Sequence, residues 1–230
     1  MIMCVCVCVC TASDASPNTM PRHGSQGGFF LLLTNKSIMK EMTPFSVIGY
    51  MSHRLKRPSP ASLAAESLAV AEALKHGLFL RTTLCEILCP EFDVARWEES
   101  SSSIAHILAT DCRSVYDHVA RDRGLPKDRA VATELALLKC VLREENQFLR
   151  WMPGEEMISD ALTKYRRMPS SLLDPIKTAM WALCDNEKCQ SLRKRKQDQA
   201  RTRKLLSRDG PAASGGESGF ETAHEMPVDG

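Results

Sequence analysis

The feature that most constrains the fold of this sequence is an amphipathic segment at residues 59–81, SPASLAAESLAVAEALKHGLFLR. Its apolar residues recur with a period close to 3.6, which is typical of a helix with one buried face. They are Leu63, Val70, Leu74 and Leu78. Ser59 suits the N-cap and Pro60 the first helical position, because a proline there has no N–H to lose. Glu66 lies at the edge of the apolar stripe, so the sequence predicts a long helix that carries an acid beside the core.

Short apolar segments on both sides of this helix predict five β-strands. Residues 4–13 alternate Cys and Val, a pattern that fits a strand and is equally explained as a low-complexity repeat. The other predicted strands are residues 29–33, 45–51, 104–110 and 148–152. Residues 17–28 are rich in Pro, Gly and Asn and are predicted to form a turn. Because the first three strands are joined by short links, we expect them to form an antiparallel meander.

Further helices are predicted between and after the last strands. They are residues 114–121, residues 127–145, residues 155–164 with Asp160 inside, and residues 172–183 with Asp174 and Pro175 at the start. Residues 97–103 are predicted to be a polar loop. This order of elements predicts an α/β fold, in which a five-stranded mixed sheet is flanked by helices.

Composition places the chain among globular proteins. Hydrophobic residues make up 43% of the sequence and charged residues 25%, and 230 residues suffice for one domain with an extension. No apolar run approaches the roughly 20 residues that a membrane-spanning helix needs, so no membrane association is expected. The first ten residues lack the basic segment of a signal peptide, and the cysteines lack the spacing of a secreted disulfide framework. We therefore expect a cytoplasmic protein.

The chain divides into four predicted regions. They are a Cys/Val segment at 1–10 that can also belong to the first strand, a domain at 11–165, a helical extension at 166–187 and a tail at 188–230. The tail is strongly basic up to residue 208 and then rich in Gly, Ser and Glu, as in solvated, disordered segments. The alternative is that its basic part binds nucleic acid or directs the protein to the nucleus through residues 193–196.

Four acids fall near the ends of predicted strands or inside predicted helices, namely Asp14, Glu66, Asp111 and Asp160. Each alone is explained as an exposed helical residue, a turn or a cap. Ligands of open α/β sheets commonly bind beyond strand ends, where these acids could gather. Carboxylates without His or Cys partners form a hard-oxygen site suited to Mg²⁺ or Mn²⁺. Two such ions can activate a water and stabilise the leaving oxygen of a phosphoryl displacement.

Several motifs carry a family resemblance. The segments SDAS and RHGSQGGFFLLL are similar to an Asp-bearing first strand, a Ser/Gly-rich turn and an aromatic strand. The segment SVIGYMSHRLKRPSPASLAAES is similar to a strand and a basic link before a catalytic Glu, and HILATDCRSVYDHVA to a strand ending in Asp. The segment WMPGEEMISDALTK matches an Ala-Asp-x-Leu-Thr-Lys ending, with Ser before Asp160. On these motifs the chain from residue 11 to residue 164 resembles the ribonuclease H domain that ends the Pol polyprotein of copia-class LTR retrotransposons.

The resemblance implies an enzyme that cleaves the RNA strand of RNA–DNA hybrids, with two Mg²⁺ or Mn²⁺ ions and a reverse transcriptase region in a longer polyprotein as a partner. It gives catalytic and metal-binding roles to Asp14, Glu66, Asp111 and Asp160. Candidate nucleic-acid contacts are Ser25, Arg54, Lys56, Arg57, Lys127 and Arg129. The alternatives are a non-catalytic remnant that binds nucleic acid or protein, and an α/β scaffold with scattered acids.

Overall fold

The computed structural model of the protein describes residues 7–22, 24–57, 61–121, 124–164 and 170–183. All of them belong to one compact unit, Met1–Asn186. Several predictions lie outside the described residues: the start of the Cys/Val segment, the helix cap formed by Ser59 and Pro60, and the basic tail at 188–230.

The described part of the chain contains seven strands. They are β1 (Val7–Met20), β2 (Gly24–Asn35), β3 (Thr43–Pro44), β4 (Ser46–Arg54), β5 (Ala105–Thr110), β6 (Gln147–Trp151) and β7 (Met180–Trp181). Five of them form a mixed sheet in the order β4-β2-β1-β5-β6, and β3 pairs with β7 separately. The β1, β2 and β4 strands are antiparallel, whereas β5 and β6 run parallel to β1. The predicted α/β fold, with a five-stranded mixed sheet whose first three strands along the chain are antiparallel, is confirmed.

The first two strands are longer than predicted, and most of the predicted turn at 17–28 is wrong. Ala15 pairs with Gly27, and Met20 pairs with Gly24, so the reversal is confined to the residues between the strands. The glycines of this segment serve packing within the sheet, because a Cβ at Gly27 would lie 2.6 Å from a methyl group of Leu55. The Cys/Val segment is a strand from Val7 onward.

Helix α1 (Ser62–Leu88) packs across β1, β2 and β5, and confirms the predicted long helix. Its N-cap is Ala61, which makes no side-chain capping bond. The small residue Gly77 allows a close approach to the sheet, since a Cβ there would lie 2.6 Å from Thr11 Oγ1. The helix therefore holds Glu66, in its second turn, firmly against the sheet.

The remaining helices are α2 (Trp97–Ser101), α3 (Arg113–Ala120), α4 (Arg129–Val141), α5 (Asp160–Thr163) and α6 (Ser170–Thr178). The α2 helix replaces the polar loop predicted at 97–103, and its acidic first turn suits a helix N-terminus. The helix predicted at 155–164 is only a 3-10 turn, Gly154–Glu156, followed by the single turn of α5. It is interrupted because Met157 is extended and buried in the core.

The predicted helix at 172–183 is also shorter, because α6 ends at Thr178 and β7 follows it. Ala179 has a φ of 53°, a left-handed conformation that commonly ends helices. The sequence predicted Pro175 at the first position of this helix, but it lies inside α6.

A hydrophobic core covers each face of the five-stranded sheet. The core beneath α1 and α4 includes Phe29, Val70, Leu74, Leu108 and Leu135. The core on the opposite face includes Phe30, Leu32, Ile107, Met157 and Trp181. Neighbouring residues such as Phe29 and Phe30 alternate between the faces, as the pleat requires. No helix in the described ranges is long and apolar enough to cross a membrane.

Candidate metal centre

Three of the four predicted acids meet at one end of the sheet. Asp14 on β1 is 2% exposed, Glu66 on α1 is 7% exposed, and Asp111 follows β5 directly. One oxygen from each carboxylate lies within 4.8 Å of the others. Asp14 and Asp111 are brought together because Ser13 and Thr110, the residues before them, pair in the parallel β1–β5 ladder. Glu66 reaches the same place because α1 crosses both strands.

Burial and the close approach of these acids raise their pKa values. Burial is the main cause for each. Together with the neighbouring charge of Asp111, burial raises the pKa of Asp14 to about 7. Burial and the charges of Asp14 and Asp111 raise the pKa of Glu66 to about 9, and the pKa of Asp111 is raised by burial and Asp160. The cluster therefore resists carrying its full negative charge without a cation.

The environment of Glu66 fits a metal ligand. Its Oε2 atom is buried and has no hydrogen-bond partner, although the backbone of Ala15 hydrogen-bonds the carboxylate. A buried carboxylate oxygen without a partner is costly, and coordination of a cation would remove that cost. All three side chains offer hard oxygen donors, the type that Mg²⁺ and Mn²⁺ prefer. Among the described residues, no other group of acids, histidines or cysteines is as closely gathered.

Asp160 is not part of this close group. It is the first residue of α5, and its Oδ1 accepts a hydrogen bond from Lys164 Nζ. Its charge nevertheless contributes to raising the pKa values of Asp14 and Asp111. The structure therefore places Asp160 at the rim of the cluster, where a basic side chain holds it.

Helix α5 is docked against the first strands by hydrogen bonds that sequence reasoning did not identify. Thr163 Oγ1 donates to Asp14 Oδ2. The carbonyl of Leu162 accepts bonds from Gln26 Nε2 at 2.8 Å and Ser52 Oγ at 2.6 Å. The Asp-Ala-Leu-Thr-Lys motif contained both Thr163 and Lys164, but its spacing alone did not show that either reaches the acids.

Two glycines make room around the cluster. Gly28 pairs with Asp14 in the sheet, and a Cβ there would lie 2.6 Å from Leu162 Cβ. A Cβ at Gly154 would lie 2.9 Å from Asp111 Oδ2. The missing side chains allow α5 and the loop after β6 to approach the acids closely.

The predicted nucleic-acid contacts occupy different environments. Ser25 is fully buried and its Oγ accepts a bond from Asn18 N–H at 3.4 Å, so the structure places it below the surface. The basic residues are all exposed, namely Arg54, Lys56, Arg57, Lys127 and Arg129. Arg57 Nη1 lies 2.8 Å from Glu134 Oε1.

Residues 54–57, Arg-Leu-Lys-Arg, form a basic link between β4 and α1 that borders two surface depressions. One of about 300 Å³ is lined by Gly24, Arg54, Leu55 and Lys56. The other, of about 260 Å³, lies between the link, α1 and Glu134, and includes Lys75. The second depression is also lined by the acids Glu72 and Glu134, so its lining is of mixed charge.

No family model matches the sequence, and no curated protein matches it. The chain is similar in structure to RNase H1 from the archaeon Halobacterium salinarum NRC-1, with 13% identity, a TM-score of 0.45 and coverage of 72% of this chain and 97% of that one. It is also similar to the N-terminal RNase H domain of a Mycobacterium tuberculosis protein, with 11% identity, a TM-score of 0.43 and coverage of 75% and 99%. It is similar, too, to the foamy viral protease-reverse transcriptase in complex with an RNA/DNA hybrid, with 13% identity and a TM-score of 0.38. That match covers 66% of this chain and 18% of the viral one. Identities this low transfer no residue role, so the roles of the acids are argued from the geometry described above.

Proposed function

We propose that the protein is a metal-dependent endonuclease that hydrolyses the RNA strand of RNA–DNA hybrids. The observation that carries the proposal is the cluster of Asp14, Glu66 and Asp111, in which three carboxylates share a buried site and one Glu66 oxygen has no partner. The motif resemblance supports the choice of hybrid as substrate. It also supports an origin in the Pol polyprotein of a copia-class retrotransposon, with a reverse transcriptase region as partner.

The proposed cofactor is Mg²⁺ or Mn²⁺, as two ions. Asp14, Glu66 and Asp111 would hold them, with Asp160 as a further ligand at the rim. Divalent ions held in this way lower the pKa of water and neutralise charge at a leaving oxygen. The protein orients the ligands: Thr163 fixes one oxygen of Asp14, and the Ala15 backbone fixes the carboxylate of Glu66.

The exposed basic residues would position the hybrid. Arg54 ends β4, and Lys56 and Arg57 follow it toward α1. Arg129 begins α4, and Lys127 lies just before its N-cap. Cationic side chains contact phosphates without reading sequence, so they set the register of a duplex on the protein. Discrimination of RNA from DNA would come from contacts with 2′-hydroxyl groups near the acids.

A cleavage assay tests the proposal. The full chain is incubated with an RNA–DNA hybrid, with Mg²⁺ or with a chelator, and the products are resolved on a gel. We expect cleavage that needs the metal, and we expect Asp111→Asn to abolish it while the melting temperature stays unchanged or rises. Glu99→Gln removes an exposed acid of α2 and serves as the control. Undiminished cleavage by Asp111→Asn would refute the assignment.

A second candidate is a non-catalytic protein that binds nucleic acid, which the exposed basic link between β4 and α1 favours. It predicts hybrid binding that weakens steeply with salt and shows no cleavage at any metal concentration. Neutralising Arg54 and Lys56 together would then reduce binding, whereas Asp111→Asn would not.

A further inference from the structure

A single lysine stands beside the acidic cluster in the described part of the site. Lys164 follows α5 directly, and its Nζ donates a hydrogen bond to Asp160 Oδ1. Its side chain is 52% exposed, against 17% for Asp160. The ammonium group thus reaches from the solvent side to the acid that the structure leaves outside the close group.

The position of Lys164 is fixed by the docking of α5. Thr163, the residue before it, bonds Asp14, and the Leu162 carbonyl is held by two side chains from β2 and β4. Because Gly28 has no side chain, α5 packs closely against the sheet beside Asp14. The backbone of Lys164 therefore stays close to the cluster unless α5 undocks.

We infer that Lys164 is a positioning residue whose ammonium group acts as a built-in counter-cation of the metal centre, pairing with Asp160 and competing with a divalent ion for that carboxylate. This inference rests on the proposed metal-dependent function and deepens it. It explains why three acids cluster while the fourth is held at the rim.

The electrostatics around Lys164 agree with this role. Its charge lowers the pKa values of Asp14, Glu66 and Asp111, against the larger effect of burial. Burial lowers the pKa of Lys164 itself, but the hydrogen bond and charge of Asp160 and the charges of Asp14 and Asp111 raise it overall. The ammonium group is thus stabilised by the same acids that would hold a metal.

A tethered ammonium group has a competitive advantage over an ion from solution, because it is always present at a high effective concentration. A divalent ion that binds Asp160 must displace it or share the carboxylate with it. Removing the ammonium charge should therefore tighten metal binding, by on the order of three- to tenfold for a unit charge beside a partly exposed site.

Mn²⁺ binding to the full chain tests the inference without any activity measurement. The affinity is measured by calorimetry or by electron paramagnetic resonance for the wild type, Lys164→Met and Lys164→Arg. We expect Lys164→Met to bind Mn²⁺ severalfold more tightly, and Lys164→Arg, which keeps the charge, to resemble the wild type. An equal or weaker affinity for Lys164→Met, with a circular dichroism spectrum like that of the wild type, would overturn the inference.

A double-mutant cycle with Asp160→Asn identifies the carboxylate concerned. The gain in Mn²⁺ affinity from Lys164→Met should disappear in the Asp160→Asn background. A gain in affinity of the same size there would overturn the pairing of Lys164 with Asp160. Asp111→Asn separates the two proposals. If it abolishes Mn²⁺ binding while Lys164→Met equals the wild type, only the Lys164 inference fails. If neither the wild type nor Lys164→Met binds Mn²⁺, the metal centre and the inference fail together.

Discussion

Thr163 donates its hydroxyl hydrogen to Asp14 Oδ2, joining two residues that are 149 positions apart in the sequence. The bond links α5, near the end of the described chain, to the central strand of the sheet. It is buried, and it lowers the pKa of Asp14 against the opposing effect of burial. A residue of the last motif thus orients an acid of the first strand.

Thr163→Val tests this link, because valine keeps the shape of threonine and removes the donor. A hydrogen bond to a charged group contributes about 1.5–3 kcal/mol, so we expect a loss of free energy of unfolding in that range. We also expect weaker Mn²⁺ binding, since Asp14 would be less firmly oriented and harder to ionise. Urea denaturation and metal titration measure the two effects.

The matched control is Thr133→Val. Thr133 is an exposed residue of α4 whose hydroxyl bonds the backbone carbonyl of Arg129 within the same helix. This change should alter stability by less than about 0.5 kcal/mol and leave metal binding unchanged. Equal changes in stability and metal binding for the two substitutions would show that the hydrogen bond from Thr163 does not orient Asp14 for metal binding.

The raised pKa values of Asp14 and Glu66 predict how stability depends on pH without metal. Both folded-state values, about 7 and about 9, lie above the ordinary values of 3.8 and 4.5. The folded state therefore binds more protons than the unfolded state, and these two groups make stability fall as pH rises from about 4 to about 9. Thermal melts from pH 5 to pH 9 should show the decline, and Mg²⁺ should reverse it most strongly at high pH.

Glu66→Gln isolates the contribution of one acid to this effect. Without metal at pH 8 we expect the variant to melt at a higher temperature than the wild type, because residue 66 no longer has to take up a proton when the chain folds. Addition of Mg²⁺ should stabilise it much less. Glu72→Gln, further along the same helix, is the comparison, since it removes an acid that pairs with His53 outside the cluster. A variant Glu66→Gln that gains the full Mg²⁺ stabilisation would argue against Glu66 as a ligand.

The sequence predicted the sheet strands and the long helix because their apolar periodicity is strong. It failed where local residue preference and tertiary packing disagree. Gly27 and Gly28 have the composition of a turn, but they lie in β2 because other side chains occupy the space of their missing Cβ atoms. Such a contact with Leu162, distant in sequence, is not visible in a local pattern.

In the candidate site, too, local sequence patterns predicted some residues, whereas the placement of others depends on tertiary packing. The approach of Asp14, Glu66 and Asp111 could be predicted because each lies on or directly after a long or strongly apolar element, and the two aspartates follow residues that pair in neighbouring parallel strands. Asp160 lies on a single helical turn, whose direction depends on how Met157 enters the core. Its pairing with Lys164 depends on that direction, so sequence spacing did not reveal it.

Gly28→Ala tests whether close packing of α5 matters for the site. A Cβ at this position would lie 2.6 Å from Leu162 Cβ and 3.2 Å from Thr163 Cγ2, so α5 must move away from Asp14. We expect a loss of about 1–3 kcal/mol in the free energy of unfolding, as for overpacked cores, and weaker Mn²⁺ binding. Gly49→Ala on β4 is the control, because its nearest neighbour would be 3.9 Å away. Similar behaviour of the two variants would contradict the packing requirement.

A buried polar network beneath α1 gives a prediction that is independent of the acids. His106 Nδ1 lies 2.9 Å from Gln147 Oε1 and Nε2 lies 2.9 Å from Thr11 Oγ1. Since an amide oxygen only accepts, Nδ1–H donates to Gln147 and Nε2 accepts from the Thr11 hydroxyl, which is the neutral form of the ring. Burial lowers the pKa of His106 from 6.5 to about 4.

Because the folded-state pKa of His106 lies below its ordinary value, the unfolded state binds more protons between pH 6.5 and 4. The network therefore stabilises the protein fully above pH 6.5, and that stability is lost as pH falls toward 4. An NMR titration of the imidazole should show no protonation of His106 down to about pH 5. His106→Asn should flatten the decline of stability between pH 6.5 and 4. A His106 ring that protonates near pH 6.5 in the folded protein would show that burial does not hold it neutral.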